Sequence, residues 1–183
     1  MGSLGTVFPQ GMLWWAADMS TFVTVGNATQ PFPRLLHAVV ANADRLPQPV
    51  TVQYGNNDFS CEKCQSVAFM DMEQFTLQLT EATLVVTHAG AGSIIHAIQA
   101  GKVPVVVPRR TEYGEIIDNH QIEFAQSLAT EGRVIITQDV TRLEFAAKEA
   151  LARQERLDQQ PETRPRLITL ISERLSYYRG KKF

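Results

Sequence analysis

Regular patterning of apolar and polar positions starts at Phe22. Phe22-Val23-Thr24-Val25 is a short apolar run closed by Gly26, and Pro31 then opens a stretch in which Leu35, Leu36, Val39 and Val40 recur at helical spacing. The alternation repeats. Val50-Thr51-Val52-Gln53-Tyr54 reads as a strand, Gly55 to Gln65 as a polar loop, Val67-Ala68-Phe69 as a short strand and Met72 to about Glu81 as a helix. Leu84-Val85-Val86-Thr87 is a buried strand, Gly90-Ala91-Gly92-Ser93 a tight turn, and Ile94 to Ala100 a helix stopped by Gly101 with Pro104 just beyond. Val103 to Val107 is the next strand. After the loop Pro108 to Ile117, Asp118 is placed to cap a helix reaching about Thr130; Val134-Ile135-Ile136 is a last strand and Val140 to Arg153 a helix. Strands that are apolar throughout, rather than on alternate positions, belong to a parallel sheet covered on both faces. The pattern therefore predicts a doubly wound α/β domain over residues 21–158, with a mostly parallel sheet and helices on both faces.

The flanks differ from this unit. Residues 1–20 carry Gly, Pro and the pair Trp14-Trp15 without any period and read as an N-terminal extension. Gln159-Gln160-Pro161 breaks the chain, and within 159–183 the positions Leu167, Ile168, Leu170, Ile171, Leu175 and Tyr178 form one apolar stripe on a C-terminal amphipathic helix. That stripe packs back on its own sheet or docks on another chain or a membrane surface.

Composition narrows the function classes. With 44% hydrophobic and 20% charged residues and a net charge of −2, the chain is an ordinary globular one, without the basic stripe that sequence-blind nucleic-acid binding needs. No nucleic-acid partner is expected. A secretory leader's basic start and apolar run are lacking, as is any stretch of about 18 apolar residues, so the expected location is cytoplasmic. The two cysteines, Cys61 and Cys64, are too few for a four-ligand zinc site. They read as reduced thiols in a surface loop, with a redox pair or an intermolecular metal site as alternatives.

In a doubly wound sheet, ligands sit at the carboxyl ends of the strands. The densest chemistry there is Thr87-His88-Ala89-Gly90-Ala91-Gly92-Ser93. Glycines let the backbone approach a phosphate, and the free N–H groups and positive end of the following helix favour an anion, so the loop suits a diphosphate. A Gly-x-Gly by itself also fits a turn that merely needs glycine torsions. An NADP-binding oxidoreductase domain is a further alternative, with Arg109-Arg110 ending the next strand where a 2′-phosphate would be read. Against it, Ile95 stands where a third small residue should let helix and strand approach.

Taken together, Phe22-Val23-Thr24-Val25-Gly26 with Gln30-Pro31-Phe32, Val52-Gln53-Tyr54-Gly55, Thr87 to Ile94, Gly101 to Arg110, Gly114-Glu115 and Asp118-Asn119-His120-Gln121 resemble the glycosyltransferase family 28 C-terminal domain over roughly residues 22 to 135. The likeness is to its short single-domain members: the donor-binding subunit of the dolichol-linked UDP-GlcNAc transferase and the PssE-type subunits of bacterial exopolysaccharide glycosyltransferases. The resemblance implies a Rossmann-like C-terminal half of a GT-B glycosyltransferase. Its implied activity is inverting transfer of a hexosyl group from a UDP-sugar to a polyprenyl-diphosphate-linked saccharide. The chain would be the donor-binding and catalytic subunit, and a membrane-associated acceptor-binding partner would recruit it to the cytoplasmic face of a membrane. The UDP-sugar is a co-substrate; no cofactor and no metal are implied. The alternative is a non-catalytic nucleotide-sugar-binding or stabilising subunit.

Site roles follow from the same resemblance. Backbone N–H groups of Gly90, Ala91, Gly92 and Ser93 hold the diphosphate, and His88 and Arg109 are the catalytic candidates, stabilising the leaving UDP. Gly26, His96, Arg110, Glu115, Asn119, His120 and Gln121 complete the donor-binding set. His96 stands where the two-domain relative that makes peptidoglycan lipid intermediates grips the uridine ribose with a Glu. Gly26-Asn27-Ala28 replaces the family's Gly-Thr-His opening. Asp118 and Gln121 also have the spacing of a capping box, a local role that competes with sugar contact.

Overall fold

The computed structural model describes residues 19–117 and 120–159, with the side chains of His120 and Gln121 left out. The sheet contains β1 (Thr21–Thr24), β2 (Val50–Gln53), β3 (Cys64–Val67), β4 (Leu84–His88), β5 (Val105–Val107) and β6 (Ile135–Ile136). Between them run α1 (Pro33–Asn42), α2 (Met72–Glu81), α3 (Ala91–Gln99) and α4 (His120–Thr130), and α5 (Leu143–Asp158) follows the last strand. Every pairing is parallel, in the order β3-β2-β1-β4-β5-β6. This is the doubly wound order, in which connections run outward in both directions from the centre and leave a crevice between β1 and β4.

Each strand feeds both faces because successive side chains point opposite ways. In register, Phe22 pairs with Val85 on one face while Val23 pairs with Val86 on the other. The face carrying Val23, Val86 and Val105 is covered by Leu35, Leu36 and Val39 of α1 and by Leu143, Ala146, Ala147 and Ala150 of α5. The opposite face, with Phe22, Val85 and Val106, is covered by α2, α3 and α4 through residues such as Leu79, Ile94, Ile98, Phe124 and Leu128. Pro33 sits in the first turn of α1, where its missing N–H costs no helical hydrogen bond.

The predicted architecture holds, with local differences. The polar segment after β2 ends sooner than hydropathy indicates, and the third strand is Cys64–Val67 instead of Val67-Ala68-Phe69. It is an edge strand whose middle residues, Gln65 and Ser66, face solvent, so no apolar run marks it. Helix α3 begins at Ala91, so the glycine turn is the helix's own first turn. Helix α5 starts only after a 3-10 turn at Val140–Arg142 and runs on to Asp158. The expectation of reduced thiols is also corrected: Cys61 and Cys64 form a disulfide across the turn that leads into β3. Of the N-terminal extension only Met19 and Ser20 are described, and the C-terminal amphipathic helix past Gln159 lies outside the described residues. Among the described residues no helix is long and apolar enough to cross a membrane.

Leu35 is fully buried between α1 and the sheet. Leu35→Ala should destabilise the fold by about 2–5 kcal/mol, the transfer loss plus the cavity left behind, read as a lowered urea midpoint with an unchanged slope.

Candidate functional site

A cleft of about 310 Å³ opens at the carboxyl ends of β1 and β4. Gly26, Asn27 and Gln53 line one side, Met70, Met72 and Phe75 another, and His88, Gly90, Gly92, Ser93 and His96 the third. Its chemistry starts at α3. The helix is capped by Gly90, which has no side chain to bond the first N–H groups, and the first helical hydrogen bond is Ile94 N–H to Gly90 O. Because the first turn of any helix lacks intrahelical acceptors, the amides of Ala91, Gly92 and Ser93 are available at the positive end of a nine-residue helix. A Cβ added at Gly92 would meet nothing within 4 Å, so this glycine faces open cleft.

His88 forms the floor. Its ring is wedged between two backbone segments: a Cβ at Gly26 would lie 2.4 Å from Cε1, and one at Gly90 would lie 2.2 Å from Nε2. Gly26 also holds a left-handed φ of +73°, which glycine adopts without strain. Burial pushes the imidazole down to about 4, and nearby Arg109 adds to that shift against a hydrogen bond with Thr24 that opposes it. His88 is therefore neutral near pH 7. Behind the wall, Thr24 Oγ1 donates to Gln53 Oε1 at 2.6 Å, Gln53 Nε2 donates to Asn27 Oδ1 at 3.1 Å, and Gly26 N–H donates to Thr24 Oγ1 at 3.1 Å. His96 sits edge-on to Phe75, with 6.3 Å between ring centres.

The arginines lie elsewhere. Arg109 is 3% exposed and does not line the cleft. Its Nη1 donates to the carbonyls of Gln30, Pro31 and Glu115 at 2.8, 3.3 and 3.0 Å, its Nη2 donates to Val25 O at 3.0 Å, and the guanidinium lies 4.6 Å from the centre of the Phe32 ring. Glu115, also 3% exposed, accepts two hydrogen bonds from Arg34 at 3.0 and 2.8 Å and one from the Arg110 amide at 2.9 Å. The Arg110 guanidinium is taken up by Glu112 and Gln138. Asn119 lies outside the described residues, and His120 and Gln121 are described only as the backbone that opens α4.

The structure thus brings together Gly26, His88, Gly90, Gly92, Ser93 and His96, leaves the Ala91 side chain against the core below α3, and sets Arg109, Arg110 and Glu115 into a separate brace beside the crevice. Sequence reasoning assigned no site role to Gln53, which appears only within the Val52-Gln53-Tyr54-Gly55 motif, nor to Met70, Met72 or Phe75. Of these only Gln53, a polar residue closing an apolar strand, carries a signal.

Two measurements test these assignments. Arg109→Lys should lose about 1–3 kcal/mol of stability, because one ammonium cannot satisfy carbonyls arranged around a planar fork. Urea unfolding at pH 7.5 reads it. For His88, a folded pKa depressed from 6.5 to about 4 means that the unfolded chain binds the proton more readily. Its contribution to stability is present above pH 6.5 and fades as the pH falls toward 4, up to ~3 kcal/mol in all. The difference in unfolding free energy between the protein and His88→Gln should follow that window; a difference independent of pH would reject a neutral, half-buried imidazole.

Comparison with known proteins fits this geometry. The model of the glycosyltransferase family 28 C-terminal domain matches residues 20–170. The UDP-N-acetylglucosamine transferase subunit ALG13 of Yarrowia lipolytica is 31% identical over 140 residues, 69% of this chain and 69% of the relative. The human subunit of the same name is 30% identical over 125 residues, 62% of this chain but 10% of the relative. Among solved structures, the glycosyltransferase of kitacinnamycin superposes with a TM-score of 0.62 at 23% identity, covering 93% of this chain and 47% of that one. CalG4, the calicheamicin glycosyltransferase, gives 0.60 at 15%, covering 89% and 45%. The chain therefore spans just under half of these folds. The expectation that it is itself the hexosyl-transferring enzyme is overturned. Its relatives are named as one subunit of a transferase. Of the two residues expected to stabilise the leaving UDP, Arg109 is committed to backbone carbonyls, while His88 lines the cleft with its pKa lowered by burial. By its matched sequence and its parallel six-stranded sheet, the chain belongs to the glycosyltransferase family 28 C-terminal domain family.

Proposed function

We propose that this chain is a non-catalytic, nucleotide-sugar-binding subunit of a UDP-sugar-dependent transferase, with UDP-GlcNAc as the first donor to test. The observation that carries the reading is the uncapped start of α3: the positive end of the helix opens beside a cleft lined by Gly90, Gly92 and Ser93, whose floor is the His88 ring. A diphosphate is matched there by hydrogen-bond donors fixed in the backbone, which need no reorganisation when it arrives. Asn27, Ser93 and His96 border the same cleft with groups able to exchange hydrogen bonds with ribose or sugar hydroxyls. Asn119, His120 and Gln121 are the further candidates for the sugar.

The partner is proposed from the same facts. A single sheet offers one wall, whereas the structures that share the fold are about twice as long, so an acceptor needs a second wall beyond this domain. A membrane-associated subunit that binds a polyprenyl-diphosphate-linked saccharide supplies it in this reading, and the sheet domain of 21–158 is recruited through that subunit.

Calorimetric titration of the purified chain with UDP, UDP-GlcNAc, UDP-glucose, UDP-glucuronate and NADPH tests the proposal. Saturable uridine-nucleotide binding, with no transfer by the chain alone, is the expected result. Gly92→Trp should abolish it with an unchanged circular dichroism spectrum, because the position is open and a helical glycine is itself unfavourable by about 1 kcal/mol. Retained affinity in that variant would remove the diphosphate from α3, and binding of NADPH alone would return the oxidoreductase alternative.

A further inference from the structure

The loop between β2 and β3 does two things that the nucleotide-binding reading leaves unexplained. At its near end it clamps the β1 side of the cleft. Asn57 Oδ1 accepts the Phe32 amide at 2.5 Å while Asn57 Nδ2 donates to Tyr54 O at 2.6 Å, and Asn56 Nδ2 donates to Ala28 O at 3.1 Å. Gly55 backs so closely onto this segment that a Cβ there would lie 2.7 Å from Gly26 O. Residues 26–32 are thereby held from behind, and they include Gly26 and Asn27 of the cleft as well as the Gln30 and Pro31 carbonyls that Arg109 reads. At its far end the loop is closed by the Cys61–Cys64 disulfide, made by the chain's two cysteines.

That disulfide is poorly suited to stapling the fold as a whole. The denatured-state entropy a cross-link removes grows with the loop it closes, and this one spans a sequence separation of three. Its effect is local. It holds the turn in which Cys64 N–H donates to Cys61 O at 3.2 Å, sets Cys64 opposite Val50 at the start of β3, and keeps Phe59 and Cys64 against the core beside Tyr54. Both sulfur-bearing residues are partly exposed and the two between them, Glu62 and Lys63, are exposed, so an external thiolate can reach the bond.

The geometry points to Cys61-Glu62-Lys63-Cys64 as a reversible thiol–disulfide site whose oxidation state sets how firmly the β1 wall of the cleft is held, and with it nucleotide affinity. The second half rests on the function proposed above. The co-reactant is a dithiol/disulfide couple. A thiolate of the reduced dithiol attacks one sulfur of the pair, forming a mixed disulfide and releasing the other sulfur as a thiolate that takes up a proton. The dithiol's second thiolate then displaces the remaining sulfur, which is protonated in turn, so two electrons enter the pair and the dithiol leaves as a disulfide. Reduced, the turn is no longer closed covalently, and the Asn56 and Asn57 clamps hang from a longer free loop.

The full chain is compared oxidised, reduced with dithiothreitol, re-oxidised, and as Cys61→Ser/Cys64→Ser. Reduction and the double substitution should each weaken UDP binding about fivefold or more, the lower end of coupling between linked sites. They should also speed hydrogen exchange at the Phe32 amide, and re-oxidation should restore both properties in the natural chain but not in the variant. Equal Phe32 exchange in all states, or a pair that does not cycle, overturns the proposal. Should UDP bind in no state while Phe32 exchange still follows the redox state, the nucleotide reading fails and the coupling of the disulfide to the wall stands.

Discussion

The Arg109 guanidinium is the constraint around which the crevice is built. A planar cation with five N–H donors sits almost out of water at the end of β5 and draws in carbonyls from the end of β1, from the β1–α1 loop and from the β5–α4 loop. Those segments are 79 and 84 residues away along the chain on one side and six on the other, so one side chain sets the relative position of two loops that no strand pairing joins. Removing such a charge from water costs several kcal/mol, and the cost is met by the carbonyl dipoles, the face of Phe32 and the nearby Glu115 carboxylate. Glu115 in turn fastens Arg34 of α1. The brace therefore runs from the helix on one face of the sheet to the loop that leads into α4.

With the cations committed to that brace, the cleft next to it has polar character from the backbone. Free amides at the start of α3, a neutral imidazole and the side-chain amides of Asn27 and Gln53 give a surface that favours a bound anion without supplying a proton or a mobile charge. Fixed backbone donors of this kind are preorganised for an anion, and a single sheet presents them from one wall only. This is the physical sense in which a family 28 domain can serve as a subunit whose chemistry is completed elsewhere.

Much of the fold was legible because a parallel sheet writes itself as apolar runs: β1, β2, β4 and β5 fall within a residue or two of their expected places. The strand that hydropathy misplaces is β3 at one edge, where Gln65 and Ser66 face water, while β6 at the other edge falls within a residue of its expected place. In the site, the glycine turn was legible because its chemistry is local, a helix start built from consecutive residues. The roles of Arg109 and Glu115 were not. An arginine ending a strand beside glycine loops reads as an anion ligand, and only the folded chain reveals that carbonyls from Val25, Gln30 and Pro31 reach it first. The disulfide was hidden for a related reason, since spacing admits both a bonded and a free pair.

The wedging of His88 between Gly26 and Gly90 makes these three positions a single unit of sequence change. While the imidazole holds its place at 88, a side chain at 26 or 90 would put its first atom 2.4 or 2.2 Å from the ring and force the ring to turn away. The two glycines are not equivalent, however. Gly90 has an ordinary extended backbone, so a small residue at 88 would release it entirely, whereas Gly26 would stay tied to glycine by its positive φ. Drift in this cleft accordingly has a direction: growth at position 90 is easiest after position 88 has shrunk, and in the reverse order the ring that floors the cleft must give way first.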